Sequence, residues 1–456
     1  MTTIDTTATN TATTDPTTDA GPTGVSRRTF LGGTAAAAGG AAALTFGSRF
    51  AFASPENPSQ GDVVVLIFLR GGADGLNMVA PYNMATYRTL RPNIRVKDPS
   101  EFADPTGKAG LPMVQGGAIS PFGLSGTFGM HPGMASLHAG PWSNGHLAVV
   151  HAAGMPRYES NTRSHFDSER HWEFGSASNS YANGFLNRYL MGQSGVDRLA
   201  AVGRGGQLQR SLQGGVAAYS MYSIGSFNVS GFPSNTRART ALSSWYDAGM
   251  GDLLLQTGAT TIGAINTVAG TNFTLPQYQP QNGAVYPGSN LASGLKETAQ
   301  LIRANVGLRC VALDIGGWDT HDGMGAPEDP ASYFRQRVAE LAGAMTAFYV
   351  DMGSLMDEVT LATISEFGRT INENGSGGTD HGRGSCQFIM GRKIRGGVYG
   401  SFPSTIADDP QDGDLSVLND YRRGLSEVLS VRGGASNLNQ VFPTYTQQAP
   451  FGLVIA

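Results

Sequence analysis

The chain has 456 residues, 14% of them charged and 63 of them glycine, a composition that suits a globular, loop-rich protein rather than a fibre or a wholly disordered chain. Its formal net charge of −4 supplies no basic footprint, which disfavours nucleic acid and anionic membrane surfaces as main partners. With Cys310 and Cys386 its only cysteines, it has no disulfide framework, although one bridge between the two is allowed.

In chain order, residues 1–24 are rich in threonine and alanine without apolar periodicity, so they are expected to be disordered. "SRRTFLGG" (26–33), the Ala-rich "TAAAAGGAAALTFG" (34–47) and "AFAS" (51–54) then follow in the order of a signal peptide, with cleavage expected after Ala53. Arg27 and Arg28, followed by Thr29, Phe30 and Leu31, resemble the twin-arginine export signal, with Gly32 where lysine is common. That resemblance implies contact with the twin-arginine translocase and a periplasmic, cell-envelope or secreted location. Substrates of that route cross the membrane folded, often with a metal or cofactor already bound. No apolar stretch near about 20 residues follows, so no transmembrane segment is expected in the mature chain.

The mature part opens with "DVVVLIFL" (62–69), a continuous apolar run that emerges into "RGGADGLN" as a buried parallel strand does. Similar runs are "HLAVVHAA" (146–153), "LRCVALDI" (308–315), "TLATISEF" (360–367) and "CQFIMG" (386–391). Between them, residues 236–256, 291–306 and 332–352 have helical length, the last with apolar positions at helical spacing. The Gly/Pro/Asn-rich stretch 270–290 reads as a loop or insertion. Strands alternating with helices predict an α/β fold with a largely parallel central sheet flanked by helices. The expected organisation is a disordered head plus signal peptide over residues 1–53 and a single α/β domain with loop insertions over 54–456.

Ligands of such sheets collect at the carboxyl ends of the strands. The first run delivers Asp74, the third Asp314, Asp319 and His321, and the fourth Glu366, with Asp380 and His381 in the glycine-rich loop beyond. Carboxylates mixed with imidazoles and no thiolate suit zinc, manganese, magnesium or iron. Turn and capping chemistry also accounts for single loop aspartates, Asp74 in particular. His321 and His381 are the only histidines after position 171, each beside an acid in a Gly-flanked loop; most of those from His131 to His151 read as packing or capping residues. In "SNTRSHFDSERHWE", Thr162, Arg163 and Ser164 lead into a helix that carries His165. A hydroxyl there could attack or bind a tetrahedral anion, or Ser164 with Asp167 could form a near capping box; the local pattern leaves both readings open.

"RGGADGLN", "SNTRSHF", "GGWDTH" and "SEFGRT…GGTDHG", in this order behind the export signal, resemble the exported bacterial family known as domain of unknown function 1501, across nearly the whole mature chain. The resemblance implies an alkaline phosphatase-like fold, a superfamily of phosphatases, sulfatases and phosphoglycerate mutases. It also implies Asp74 as the first-strand metal ligand, and Asp319 with His321 as the middle pair, although only Thr320 separates them where the superfamily has three residues. For the last motif, "TDHG" copies an Asp-His-Gly signature. Strand order favours Glu366 as the ligand instead, with Phe367 replacing its histidine and His381 as the final imidazole. Asp380 then orients His381. Thr162 is preferred to Ser164 as nucleophile, with Arg163 as an anion contact.

Two functions follow. One is an exported metal-dependent hydrolase of small phosphate or sulfate esters, using divalent ions to clamp the attacking and leaving oxygens. The other is a non-catalytic metal- or anion-binding exported protein on the same fold, a partner of a co-exported protein, for which the imidazole lost at Phe367 speaks.

Overall fold

Apolar runs buried on both sides need a covering layer on each face, and the fold supplies two. The computed structural model describes residues 62–114, 128–229, 234–247, 253–270, 278–403, 406 and 413–456. The expected head and signal peptide over residues 1–53 lie outside them. The strands are β1 (Val63–Leu69), β2 (Val79–Ala80), β3 (Leu111–Pro112), β4 (Gly129–Met130), β5 (Leu147–Gly154), β6 (Ala201–Arg204), β7 (Tyr219–Met221), β8 (Cys310–Ile315), β9 (Val359–Ile364), β10 (Ser385–Met390), β11 (Gly397–Tyr399) and β12 (Asn419–Asp420). The longer helices are α1 (His165–Phe174), α2 (Phe185–Met191), α3 (Asn235–Asp247), α4 (Leu253–Gly270), α5 (Asn290–Arg303), α6 (Tyr333–Met352) and α7 (Tyr421–Val431).

The central sheet runs β11-β5-β10-β9-β1-β8-β6-β7, with β12 beside β5, and β2-β4-β3 form a small antiparallel sheet. β1 pairs in parallel with β8 and β9, and its last residues stand level with theirs, Leu69 opposite Ile315 and Phe68 opposite Ile364. Only β10 is reversed, antiparallel to both β5 and β9, so the sheet is mostly parallel but mixed. The reversal has a geometric consequence. The loop joining β9 to β10 starts and ends on the rim where β1, β5 and β8 also end, so four connections meet on one edge.

β1 shows why its sequence lacks alternation. Val63, Val65, Ile67 and Leu69 enter one core cluster with Leu291 and Leu295 of α5 and Phe334, Val338 and Phe348 of α6. Val64, Leu66 and Phe68 enter another, with Phe185 and Leu186 of α2 and Tyr421 and Leu425 of α7. Period-2 geometry thus sends neighbours to opposite faces, and both faces are covered. Each such side chain contributes about 1.5–3 kcal/mol on burial.

The helix-length segment 236–256 falls on α3 (Asn235–Asp247) and α4 (Leu253–Gly270) among the described residues. Cys310 and Cys386 are free and buried, in the two different core clusters on opposite faces of the sheet, so no bridge joins them. Among the described residues no helix is long and apolar enough to cross a membrane.

Candidate metal centre

The rim loops are held against one another by backbone contacts that only small residues permit. Gly71, just after β1, has φ +122°, and a Cβ there would lie 2.4 Å from the backbone nitrogen of Asp319. Glycine at this position lets the β1 loop lie directly on the loop after β8. The Gly71 N–H donates to Glu366 Oε1 at 2.6 Å, tying in the loop after β9. Arg369, buried, completes the clamp. It donates from Nε to the Gly72 carbonyl at 2.7 Å, from Nη1 to the Thr379 carbonyl at 3.1 Å, and from Nη2 to the Trp318 and Gly71 carbonyls and to Asp319 Oδ1, the last at 2.6 Å.

Around Asp319 the loops gather three imidazoles. His381 Nε2 and His321 Nε2 each lie 3.1 Å from Asp319 Oδ1, and 2.9 Å from one another. His165 Nε2 is buried, makes no hydrogen bond and lies 3.5 Å from Asp319 Oδ2. The ligand atoms of His165, Asp319 and His381 all fall within 4.8 Å of one another. Each ring is gripped from behind through Nδ1. His165 Nδ1 donates to Glu366 Oε1 at 2.8 Å, His321 Nδ1 to Asp380 Oδ1 at 2.9 Å, and His381 Nδ1 to the Arg163 carbonyl at 3.0 Å. Phe367 walls one side, its ring centroid 4.9 Å from that of His165 and 4.6 Å from that of His381.

The tautomers follow from these contacts. A carbonyl or carboxylate only accepts, so each Nδ1 carries the proton and, in a neutral ring, each Nε2 presents a lone pair. Lone pairs of His321 and His381 then face each other at 2.9 Å beside a carboxylate. Such an arrangement is stable only with a cation among them, a proton or a metal ion. Ligand atoms about 2.1 Å from one ion at the tetrahedral angle stand about 3.4 Å apart, which the separations here approach. Histidines whose second nitrogen is held by a carboxylate or carbonyl are the usual form of a metal ligand. The donor set of imidazoles and one carboxylate fits zinc, manganese or iron and is poor for magnesium, which prefers an all-oxygen shell.

The electrostatics keep two carboxylates of the centre, Asp319 and Asp380, ionised. Burial works to raise the Asp319 carboxyl, but the hydrogen bond and charge of Arg369, with His381 and His321, hold it below the usual carboxylate range. The hydrogen bond from His321 likewise holds Asp380 down. The Glu366 hydrogen bond raises His165, while burial lowers His381.

Among the residues singled out in the sequence, Asp319, His321 and His381 come together as expected. Glu366 and Asp380 come to the same place but face imidazole Nδ1 atoms rather than the centre, and Asp380 orients His321, not His381. Asp74 stands apart. Its Oδ2 pairs with buried Arg91 at 2.7 Å and its Oδ1 caps the short helix Gly75–Met78 by accepting from the Asn77 N–H at 3.1 Å. A guanidinium thus engages the carboxylate that the resemblance implied as a metal ligand. Thr162 lines a small cleft with Glu366 and Phe367, its Oγ1 accepting from the Ser164 N–H at 3.0 Å. Ser164 is exposed at the start of α1 and its side chain makes no capping bond, so the capping-box reading does not hold. The Arg163 guanidinium pairs with Asp414 while its carbonyl holds His381. Asp314 belongs to a neighbouring group in which Arg70 meets Glu169 at 3.1 Å and Glu173 and Asp314 at 2.8 Å.

The sequence puts His165 at the start of a helix without assigning it a role, and it gives Arg369 none. The one local sign for His165 is the charged, polar lead-in to its helix. Its partner Glu366 lies 201 positions away, a pairing that only the fold creates.

Fold and centre together describe an α/β protein with a histidine–carboxylate cluster on the carboxyl rim of a mostly parallel sheet. The chain belongs to the family described as "Protein of unknown function (DUF1501)", whose profile matches residues 62–419. No curated protein matches it. Among solved structures it is similar to the lipoteichoic acid synthase LtaP from Listeria monocytogenes, at 8% identity over 81% of this chain and 78% of that one, with a TM-score of 0.24, too slight a likeness to bear on fold or function.

Proposed function

We propose that the protein is an exported metal-dependent hydrolase of phosphate or sulfate esters, built on an alkaline phosphatase-like version of this α/β fold and using one principal ion. The observation that carries the reading is the convergence of three imidazole Nε2 atoms on Asp319, each ring anchored through Nδ1. His165, His321, His381 and Asp319 would hold zinc, manganese or iron. When bound, such an ion polarises a phosphoryl or sulfuryl oxygen and stabilises charge on the oxygens being displaced. The chain's own residues do the rest. Arg369 fixes Asp319 and offsets its charge, Glu366 and Asp380 keep two rings aimed, and Phe367 keeps one side of the centre apolar. The loop between β5 and α1 brings hydroxyls to the adjacent cleft. Export rests on the Arg27–Arg28 pair and its flanking segment.

The test is elemental analysis of protein purified without chelators, followed by assays with 4-nitrophenyl phosphate and 4-nitrophenyl sulfate. One ion per chain, with turnover abolished by chelation and restored by the ion, is the expected result. Absence of any bound transition metal would overturn the reading. A bound ion without turnover on any ester would favour the second reading, a non-catalytic metal- or anion-binding exported protein. Two observations speak for that alternative: Phe367 stands where the superfamily pattern has an imidazole, and Asp74 is engaged by Arg91.

A further inference from the structure

We propose that Ser160 and His171 are the nucleophile and general base of this centre, an inference that rests on the ester-hydrolase reading above. Ser160 Oγ lies 2.9 Å from His171 Nδ1. Ser160 lines the same cleft as Thr162, Glu366 and Phe367, and the latter two touch His165. His171 lies on α1, the helix that starts with His165, six residues further on and so about 9 Å along the axis. One rigid element therefore sets both base and ion ligand.

A serine or threonine hydroxyl is too weakly acidic to attack unaided and needs a base within hydrogen-bond reach. Among the described residues, neither Thr162 nor Ser164 has an imidazole or carboxylate bonded to its hydroxyl; Thr162 Oγ1 accepts from a backbone N–H instead. Ser160 has the base. The loop carrying it is braced, because the Ser160 N–H donates to the Pro156 carbonyl at 3.1 Å and neighbouring Glu159 takes bonds from Arg422 and Thr444. His171 is faced by Arg170 and Asp167 of its own helix and by Glu159 of the loop, and burial holds it below its ordinary value.

The step balances without further reactants. As Ser160 Oγ bonds to phosphorus, its proton passes to His171 Nδ1, the bond from phosphorus to the ester oxygen breaks, and that oxygen takes the proton back from His171 to leave as the alcohol. Water then attacks the phosphoserine, giving its proton to His171, which hands it to Ser160 Oγ as the bond from phosphorus to that oxygen breaks, releasing phosphate and the serine hydroxyl. A sulfate ester follows the same course at sulfur.

The experiment uses the full exported chain and a fluorophosphonate probe, with the labelled residue located by tandem mass spectrometry. Probe attack needs an activated hydroxyl but not an ester-cleaving ion, so it is read with and without chelator, alongside metal content. Label on Ser160 is expected, abolished in Ser160→Ala and lowered at least tenfold in His171→Gln, while both variants keep metal content and wild-type thermal unfolding. Label on Thr162 or Ser164, or no label on Ser160 in folded protein, would overturn the inference even if metal is bound and esters are cleaved. Label on Ser160 in a chain that binds no metal would leave the dyad standing and remove the metal reading.

Discussion

Glu366 and Asp380 perform the same task for His165 and His321, but from different surroundings, and replacing them should have unequal effects. The Glu366 side chain is 0% exposed and that of Asp380 60%. In Glu366→Gln the amide oxygen can still accept from Gly71 N–H and His165 Nδ1. Ser365 Oγ, which donates to the Leu69 carbonyl, can accept from the new amide group, so the fold survives. What is lost is a buried negative charge behind a ligand. Loss of such a partner lowers ion affinity about ten- to a hundredfold, about 1.4–2.8 kcal/mol. Asp380→Asn removes a charge already screened by solvent, and an exposed pair is worth at most about 1 kcal/mol, a loss below about fivefold. Isothermal titration of the metal-free variants with zinc and with manganese at fixed pH measures both. Equal losses, or a larger one for Asp380→Asn, would show that burial does not govern how these carboxylates support the centre.

Asp74→Asn or Arg91→Met should each destabilise the fold by about 3–5 kcal/mol in denaturant unfolding, because one change strands the other's buried charge; metal content should be unchanged, and a loss of metal would return Asp74 to the ligand set. Burial, opposed by the Arg70 charge and aided by that of Asp314, pushes Glu173 up to about 7. An acid raised on folding holds extra protons in the native state between its unfolded and folded values. Its contribution to stability is therefore full below about pH 4.5 and lost as pH rises through 7, and Glu173→Gln should flatten that part of the stability profile; an unchanged profile would refute it. Arg27→Lys with Arg28→Lys should leave the precursor in the cytoplasm, as read by fractionation, since the pair acts as an address rather than as charge; export at the wild-type rate would refute the twin-arginine assignment.

The interior strands were legible because burial on both faces writes itself as an unbroken apolar run: residues 62–69 contain β1, and 146–153 nearly coincide with β5. β6 and β7, of four and three residues, are too short to write such a pattern, and the reversed direction of β10 leaves no local mark. Asp319, His321 and His381 were readable because a titratable residue in a glycine-rich loop after a strand has few structural duties. Asp74 sits in the same kind of loop, but its partner Arg91 belongs to a separate segment that carries no sign of the pairing. His165 and Glu366 had the reverse difficulty, each looking ordinary until the fold brought the β9 loop onto the start of α1.

That arrangement also dictates an order of events. His165 comes from the loop after β5, Asp319 and His321 from the loop after β8, and Glu366 and His381 from the loop leading into β10, with 201 positions between His165 and the carboxylate that holds it. The set is complete only once the chain has been made as far as His381, so the proposed ion would enter a nearly finished molecule. Were the chain exported already folded, as proposed, the metals accessible in the compartment of synthesis, and not those of its destination, would decide which ion it carries for life.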